Sequence, residues 1–188
     1  MTKQLTAKEL LLGGNKITVI VADAHDYMKK ITKTLSELTN KEGIPGVYVT
    51  INKPFKVIKR QFEAGKVNTK MLIFIDAISA GAGKIVKEDG CVFIQTPKSL
   101  SDMSIAIHAA VEALPSKRKF VFFDSLTTLL IYNETHSVLR FTHFLTTKMR
   151  SWDVDGIILS LDSDTKSSIF QQIVLFSDNV INLSKGGK

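Results

Sequence analysis

Cysteine is nearly absent from this chain. Its 188 residues include one, Cys91, so no internal disulfide can form and no paired metal-binding spacing exists around it. Cys91 lies in an apolar, strand-like run and reads as a buried core thiol rather than a nucleophile. Long apolar runs are missing too: none reaches the roughly 18 residues of a membrane-spanning helix. The first residues carry no apolar block of the signal-peptide kind. Proline is scarce, with four residues, and no Pro/Gly-rich linker or internal repeat divides the chain. The four histidines show no zinc-type pairing, and no Ser-His-Asp or Cys-His set can be assembled. These absences exclude a disulfide scaffold and a zinc finger of paired Cys and His ligands. The expectation is a soluble, cytoplasmic protein with no membrane partner.

What is present suits one globular domain over residues 1–188. A hydrophobic content of 44% argues against disorder, and the length is enough to bury a full core. Met1–Asn15 reads as an N-terminal extension, a short helix and a Gly13-Gly14 turn. Residues 184–188 read as a flexible basic tail. The net charge of +7 is unevenly placed. Residues 1–70 hold 13 Lys/Arg against 6 Asp/Glu, and residues 71–188 hold 12 against 12. The whole excess therefore sits in the first third. Such asymmetry suits either a polyanionic partner or a lysine-rich solvated surface.

Seven apolar runs read as strands: Ile17–Ala22, Val47–Ile51, Met71–Ile75, Cys91–Gln95, Phe120–Phe123, Gly156–Leu161 and Asn179–Leu183. They are near-continuous rather than alternating, as strands buried on both faces of a parallel sheet must be. Helical patterns lie between them over Asp26–Asn40, Pro54–Ala64, Ser99–Leu114, Glu134–Ser151 and Asp164–Phe176. Pro54 suits the first turn of its helix and Gly65 its stop. The fold class that follows is α/β, a three-layer domain with a mostly parallel central sheet and helices on both faces.

Ligands of open α/β sheets bind off the C-terminal strand ends. Here those ends read Asp23-Ala24-His25-Asp26, Asn52-Lys53, Asp76, Asp124-Ser125 and Asp162-Ser163-Asp164, a polar and acidic edge. The run Phe120-Val121-Phe122-Phe123-Asp124-Ser125 has the character of a Walker B strand, whose terminal carboxylate holds Mg²⁺. Its usual companion, G-x-x-x-x-G-K-[ST], does not occur in the sequence. Gly81-Ala82-Gly83-Lys84 carries a fragment of it, but Ile78 replaces the first glycine and Ile85 follows the lysine, so it reads as a loop. Asp23, His25 and Asp26 could form a metal site with Asp124; helix capping by Asp23 or Asp26 is the competing reading, and no metal is assigned.

In order and spacing these phrases resemble the KaiC-like branch of the RecA-fold ATPases, common in archaea. The resemblance rests on Gly46-Val47-Tyr48-Val49-Thr50-Ile51-Asn52-Lys53-Pro54, Leu72-Ile73-Phe74-Ile75-Asp76, Phe122-Phe123-Asp124-Ser125-Leu126, Arg140-Phe141-Thr142-His143-Phe144-Leu145, Gly156-Ile157-Ile158-Leu159-Ser160-Leu161 and Ser177-Asp178-Asn179-Val180-Ile181. It runs from about residue 10 to residue 185 and implies a RecA-like sheet in which strands 1 and 5 are neighbours.

The departures fall on the catalytic parts. Aligning Asp23 with the first glycine of a phosphate loop puts Met28 at the second, Lys29 at the lysine and Lys30 at the Ser/Thr. The acidic residues that the resemblance implies after strand 2 are replaced by Asn52 and Lys53, which cannot serve as a general base near neutral pH. Asp23, Lys29, Asn52, Lys53, Asp124 and Ser125 thus read as a degenerate nucleotide site, with no catalytic residue. The expectation is a pseudo-ATPase that needs no cofactor and acts as a binding, scaffold or regulatory module. Its partners would be further copies or an active relative. Two alternatives stay open. One is a nucleotide-binding ATPase with a non-standard loop, using ATP and Mg²⁺. The other is a nucleic-acid binder using Lys56, Lys59 and Arg60, which lie off the Phe55/Ile58/Phe62 helix face.

Overall fold

The computed structural model describes residues 15–83, 87–161 and 165–184. The expected short helix in residues 1–14, Lys84, the strand end Asp162-Ser163-Asp164 and the tail 185–188 lie outside them. The order is β1 Ile17–Ala22, α1 Tyr27–Ser36, β2 Gly46–Thr50, α2 Phe55–Ala64, β3 Leu72–Asp76, β4 Cys91–Phe93, α3 Leu100–Ala113, β5 Phe120–Asp124, α4 Leu126–Tyr132, α5 Thr135–Ser151, β6 Asp155–Leu161, α6 Ser168–Val174 and β7 Asn179–Asn182. All strand pairs are parallel, in the order β4-β3-β2-β5-β6-β1-β7.

Every strand residue of β1, β2 and β5 is buried, and their side chains alternate between two cores. Ile17, Val19, Val21, Val47, Val49, Val121 and Phe123 pack with α3, α5 and α6 on one face. Ile20, Tyr48, Phe74, Phe120, Phe122 and Leu159 pack with α1 and α2 on the other. This two-sided burial is why the strands read as continuous apolar runs. Phe55, Ile58 and Phe62 are the buried residues of α2, as its spacing predicts. Pro54 caps that helix and Gly65 ends it. Gly46 lets the Phe120 ring lie across the start of β2: a Cβ there would sit 2.4 Å from ring carbons.

Four readings need correction. Strands β1 and β5 are not neighbours; β6 lies between them, bonded to both. The α/β class stands, but any site spanning the ends of β1 and β5 must bridge a whole intervening strand. The helix read over Asp26–Asn40 is α1 followed by a π turn, Glu37–Lys41, where the Thr39 hydroxyl donates to the Leu35 carbonyl at 2.8 Å. Helix α4 went unread because it is a single short apolar segment of seven residues, with no polar face to betray its period. Cys91 is half-buried on the short edge strand β4 rather than deep in the core. Burial pushes its thiol up to about 12, with the Asp76 charge adding to the effect, so it is no nucleophile.

Candidate functional site at the C-terminal sheet edge

Asp124 ends β5 and is fully buried. Its Oδ2 accepts a hydrogen bond from the Tyr48 hydroxyl at 2.5 Å. Its Oδ1 is buried without a hydrogen-bond partner. Burial lifts the carboxyl to about 6, against the lowering pull of the Tyr48 hydrogen bond and the Lys53 charge. A buried carboxylate with one idle oxygen is destabilising for a fold, and such groups concentrate at sites that handle ligands. A cis peptide joins Asp124 to Ser125. Ser125 caps α4: its Oγ accepts from the Thr128 N–H at 3.3 Å and lies 3.0 Å from the Thr128 hydroxyl.

Tyr48 was not singled out by the sequence. It lies opposite Phe122 in the ladder, and its ring stacks on Phe122 at 5.3 Å and meets Phe62 edge-on at 5.0 Å. The ring belongs to the core while its hydroxyl reaches the polar edge. Burial, then the Asp124 charge, holds that hydroxyl well above the ordinary tyrosine value. It therefore stays protonated and donates. Tyr27, in the first turn of α1, supplies a second unforeseen phenol. Burial and the Asp124 charge push it up to about 12, and Asn52 Nδ2 donates to its oxygen at 3.1 Å. Lys53 stands over the Tyr27 ring, 5.6 Å from its centre. Four of the anticipated residues, Asn52, Lys53, Asp124 and Ser125, are thus grouped at the β2 and β5 ends, with Tyr27 and Tyr48 among them.

The loop after β1 is closed on itself. The Asp23 carbonyl accepts from the Asp26 and Tyr27 N–H groups at 3.3 and 3.0 Å. The Asp23 Oδ1 accepts from the His25 N–H at 2.7 Å. A phosphate-wrapping loop needs such N–H groups pointing outward; here Asp23 takes three of them. Lys29 is exposed on α1. Lys30 binds the Asp26 carboxylate at 2.7 Å and the Leu183 carbonyl at 2.5 Å, so it ties α1 to the chain after β7. His25 is exposed, and no group of three His, Cys, Asp or Glu side chains is poised to hold a metal among the described residues. The residues present do not fit a magnesium–nucleotide complex. One buried carboxylate oxygen is available to a cation, but the Lys53 charge already acts on that carboxylate, and the His25, Asp26 and Tyr27 N–H groups are taken.

The other acidic strand end is structural. Asp76 Oδ2 accepts from the Phe55 N–H at 2.7 Å and the Ser79 hydroxyl at 2.5 Å. Its Oδ1 accepts from the Ile78 and Ser79 N–H groups at 2.9 and 2.8 Å. Gly81 and Gly83 lie in and after a single turn, Ala80–Ala82, following β3. Lys56 and Arg60 are exposed and Lys59 half-buried on the outside of α2. Lys56 is paired with Glu88 at 2.8 Å, and Lys59 stands over the Phe55 ring at 5.5 Å.

The model of a family of unknown function (DUF7504) matches residues 19–183. The chain belongs to this family. No curated protein sequence matches it. Among solved structures it is similar to a KaiC-like protein from the hyperthermophilic archaeon Pyrococcus horikoshii OT3. The match has a TM-score of 0.67 at 17% identity and covers 100% of this chain and 85% of that one. At this identity the likeness carries the fold, which is α/β of the KaiC-like, RecA-type kind. Among the described residues no helix is long and apolar enough to cross a membrane.

Proposed function

We propose that this member of the family is a RecA-type module that does not hydrolyse ATP and serves as a protein-binding, regulatory subunit. It would work beside further copies of itself or an active relative, inside the cell. The observation that carries this reading is the closed loop after β1, where Asp23 takes the N–H groups of His25, Asp26 and Tyr27. Two further features support it: Asn52 and Lys53, which follow β2, offer no general base, and the lysine-position residue Lys29 is exposed on α1. A steady-state assay with ATP and Mg²⁺ tests it. No turnover above background is expected; turnover abolished by Asp124→Asn would overturn the proposal.

The idle Oδ1 of Asp124 favours a second reading, in which ATP and Mg²⁺ still bind weakly through a rearranged loop. Calorimetric titration separates the two, since the first expects no heat of binding at millimolar nucleotide. A nucleic-acid role through Lys56, Lys59 and Arg60 ranks below both, because Glu88 already pairs with Lys56. A gel shift with single-stranded DNA tests it, and reversal of all three charges should abolish any shift.

A further inference from the structure

Helices α3 and α5 leave an open groove of about 480 Å³ between them, on the face of the sheet opposite α1 and α2. Its walls include Ile105 on α3 and Phe144 on α5, which are 68% and 45% exposed, with Phe141 beneath them. Ser104 and Ser137 add hydroxyls and Arg140 a guanidinium. Two large apolar side chains exposed side by side across a groove, over a third buried beneath them, make a contiguous apolar patch of the kind that contact surfaces use.

The charges say what kind of contact. Helix α5 carries Arg140, Lys148 and Arg150 and no acidic residue between its ends. Arg150 is paired with Asp178 at 3.1 Å. Arg140 and Lys148 are exposed, and neither makes a salt bridge among the described residues. They sit four residues before and four after Phe144, so they share its stripe of the helix. The Lys148 ammonium stands 5.6 Å from the centre of the Phe144 ring. The acidic residues of α3 pair with neither cation. Asp102 accepts from the Ser99 hydroxyl at 2.5 Å, and Glu112 faces His108 at 3.4 Å. The result is an apolar centre flanked by two cations about 12 Å apart along the helix.

We propose that this groove docks an amphipathic helix of a partner protein, with an apolar residue set between Ile105 and Phe144 and carboxylates paired with Arg140 and Lys148. The spacing asks for two acidic residues seven or eight positions apart, with the apolar anchor midway. The inference rests on the reading of this chain as a protein-binding module and supplies the chemistry of its partner. It does not depend on the state of the nucleotide site.

The test is a phage-displayed library of amphipathic helices panned on the whole protein, with the Arg140→Glu/Phe144→Ala double variant as counter-target. Enriched sequences should carry the acid–apolar–acid spacing. As synthetic peptides they should bind the double variant at least about tenfold more weakly. Added salt should weaken binding to the native chain, because two ion pairs contribute. Circular dichroism of the double variant should match the native chain, since both side chains are exposed. Enrichment of helices without acids, equal binding to the double variant, or no enrichment at all would each overturn the proposal. So would a dimer of the native chain in sedimentation that Phe144→Ala abolishes, because a second copy would then be the occupant. Failure here leaves the ATPase and titration experiments untouched, so the two readings fall separately.

Discussion

Two buried aspartates stand at the same level of the sheet, on either side of Thr50: Asp76 on β3 and Asp124 on β5 both register with it. They do opposite things. Asp76 accepts four hydrogen bonds, three from backbone N–H groups, and pins the start of α2 to the turn after β3. Asp124 accepts one from the protein, from a phenol, and leaves Oδ1 idle. Position on the sheet does not decide whether a carboxylate is structural or available. The number of donors aimed at it does, and three of the four on Asp76 come from the turn that follows its strand. The β3 loop turns back on its aspartate, whereas β5 runs at once into α4.

The comparison can be tested from both sides. The largest effect is expected at Asp76. Asp76→Ala strands four donors, and at about 1 kcal/mol each with partial rehydration the loss should be about 3 kcal/mol, read as a lower urea midpoint. Asp124→Asn should act in the opposite direction. Its folded carboxyl is raised from 3.8 to about 6, so its contribution is fully present below the unfolded value and is lost as pH rises through about 6. That loss approaches about 3 kcal/mol. The amide leaves its own buried donors, so a net gain of about 2 kcal/mol above pH 7 is expected, shrinking towards pH 4. Asp124→Asn that destabilises at every pH would show that the two aspartates are equivalent after all.

Tyr48→Phe keeps the ring stacked on Phe122 and removes the one protein donor to Asp124. A loss of about 1–2 kcal/mol is expected above pH 7, with a smaller loss in acid, where the carboxyl is already neutral. Carbon-detected NMR titration should place the Asp124 carboxyl higher in this variant. Lys53→Met should give the smallest change: an upward move of the same titration with a stability loss under about 1 kcal/mol, since Lys53 is half exposed. An unmoved Asp124 titration in both variants would mean that neither group reaches the carboxylate.

Most of the sheet was legible in the sequence because strands buried on both faces leave an unbroken apolar record. Ile17–Ala22 fits to the residue, and β5 differs only in taking in Asp124. The neighbours of β1 were not legible, since all central strands look alike in composition and nothing local records which lies beside which. The candidate site was half legible. Polar residues that close apolar runs announce themselves, so Asp124, Asn52 and Lys53 were found. Tyr48 and Tyr27 were not, because a tyrosine inside an apolar run or at a helix start reads as core. Tyr48 matters only through a register that sets it opposite Phe122. The Ser125 cap on the Thr128 N–H was the signal that would have found α4.

The place of β1 also bears on how the protein comes off the ribosome. Both strands that flank it, β6 and β7, belong to the end of the chain. The contacts that anchor its start confirm the distance. The Lys16 N–H meets the Asp155 carboxylate 139 residues later, and the Ile17 N–H meets Asp178 161 residues later. During synthesis β1, made before the other described strands, is therefore among the last of them to find its partners. Strands β2, β3 and β5 can pair while Ile17–Ala22, apolar but for Thr18, waits with both edges open. Loop closure over such spans is slow, and an unpaired hydrophobic strand invites association in the meantime. A nascent chain stalled before residue 155 should accordingly be the form that chaperones hold, and release should follow only once β6 has cleared the exit tunnel.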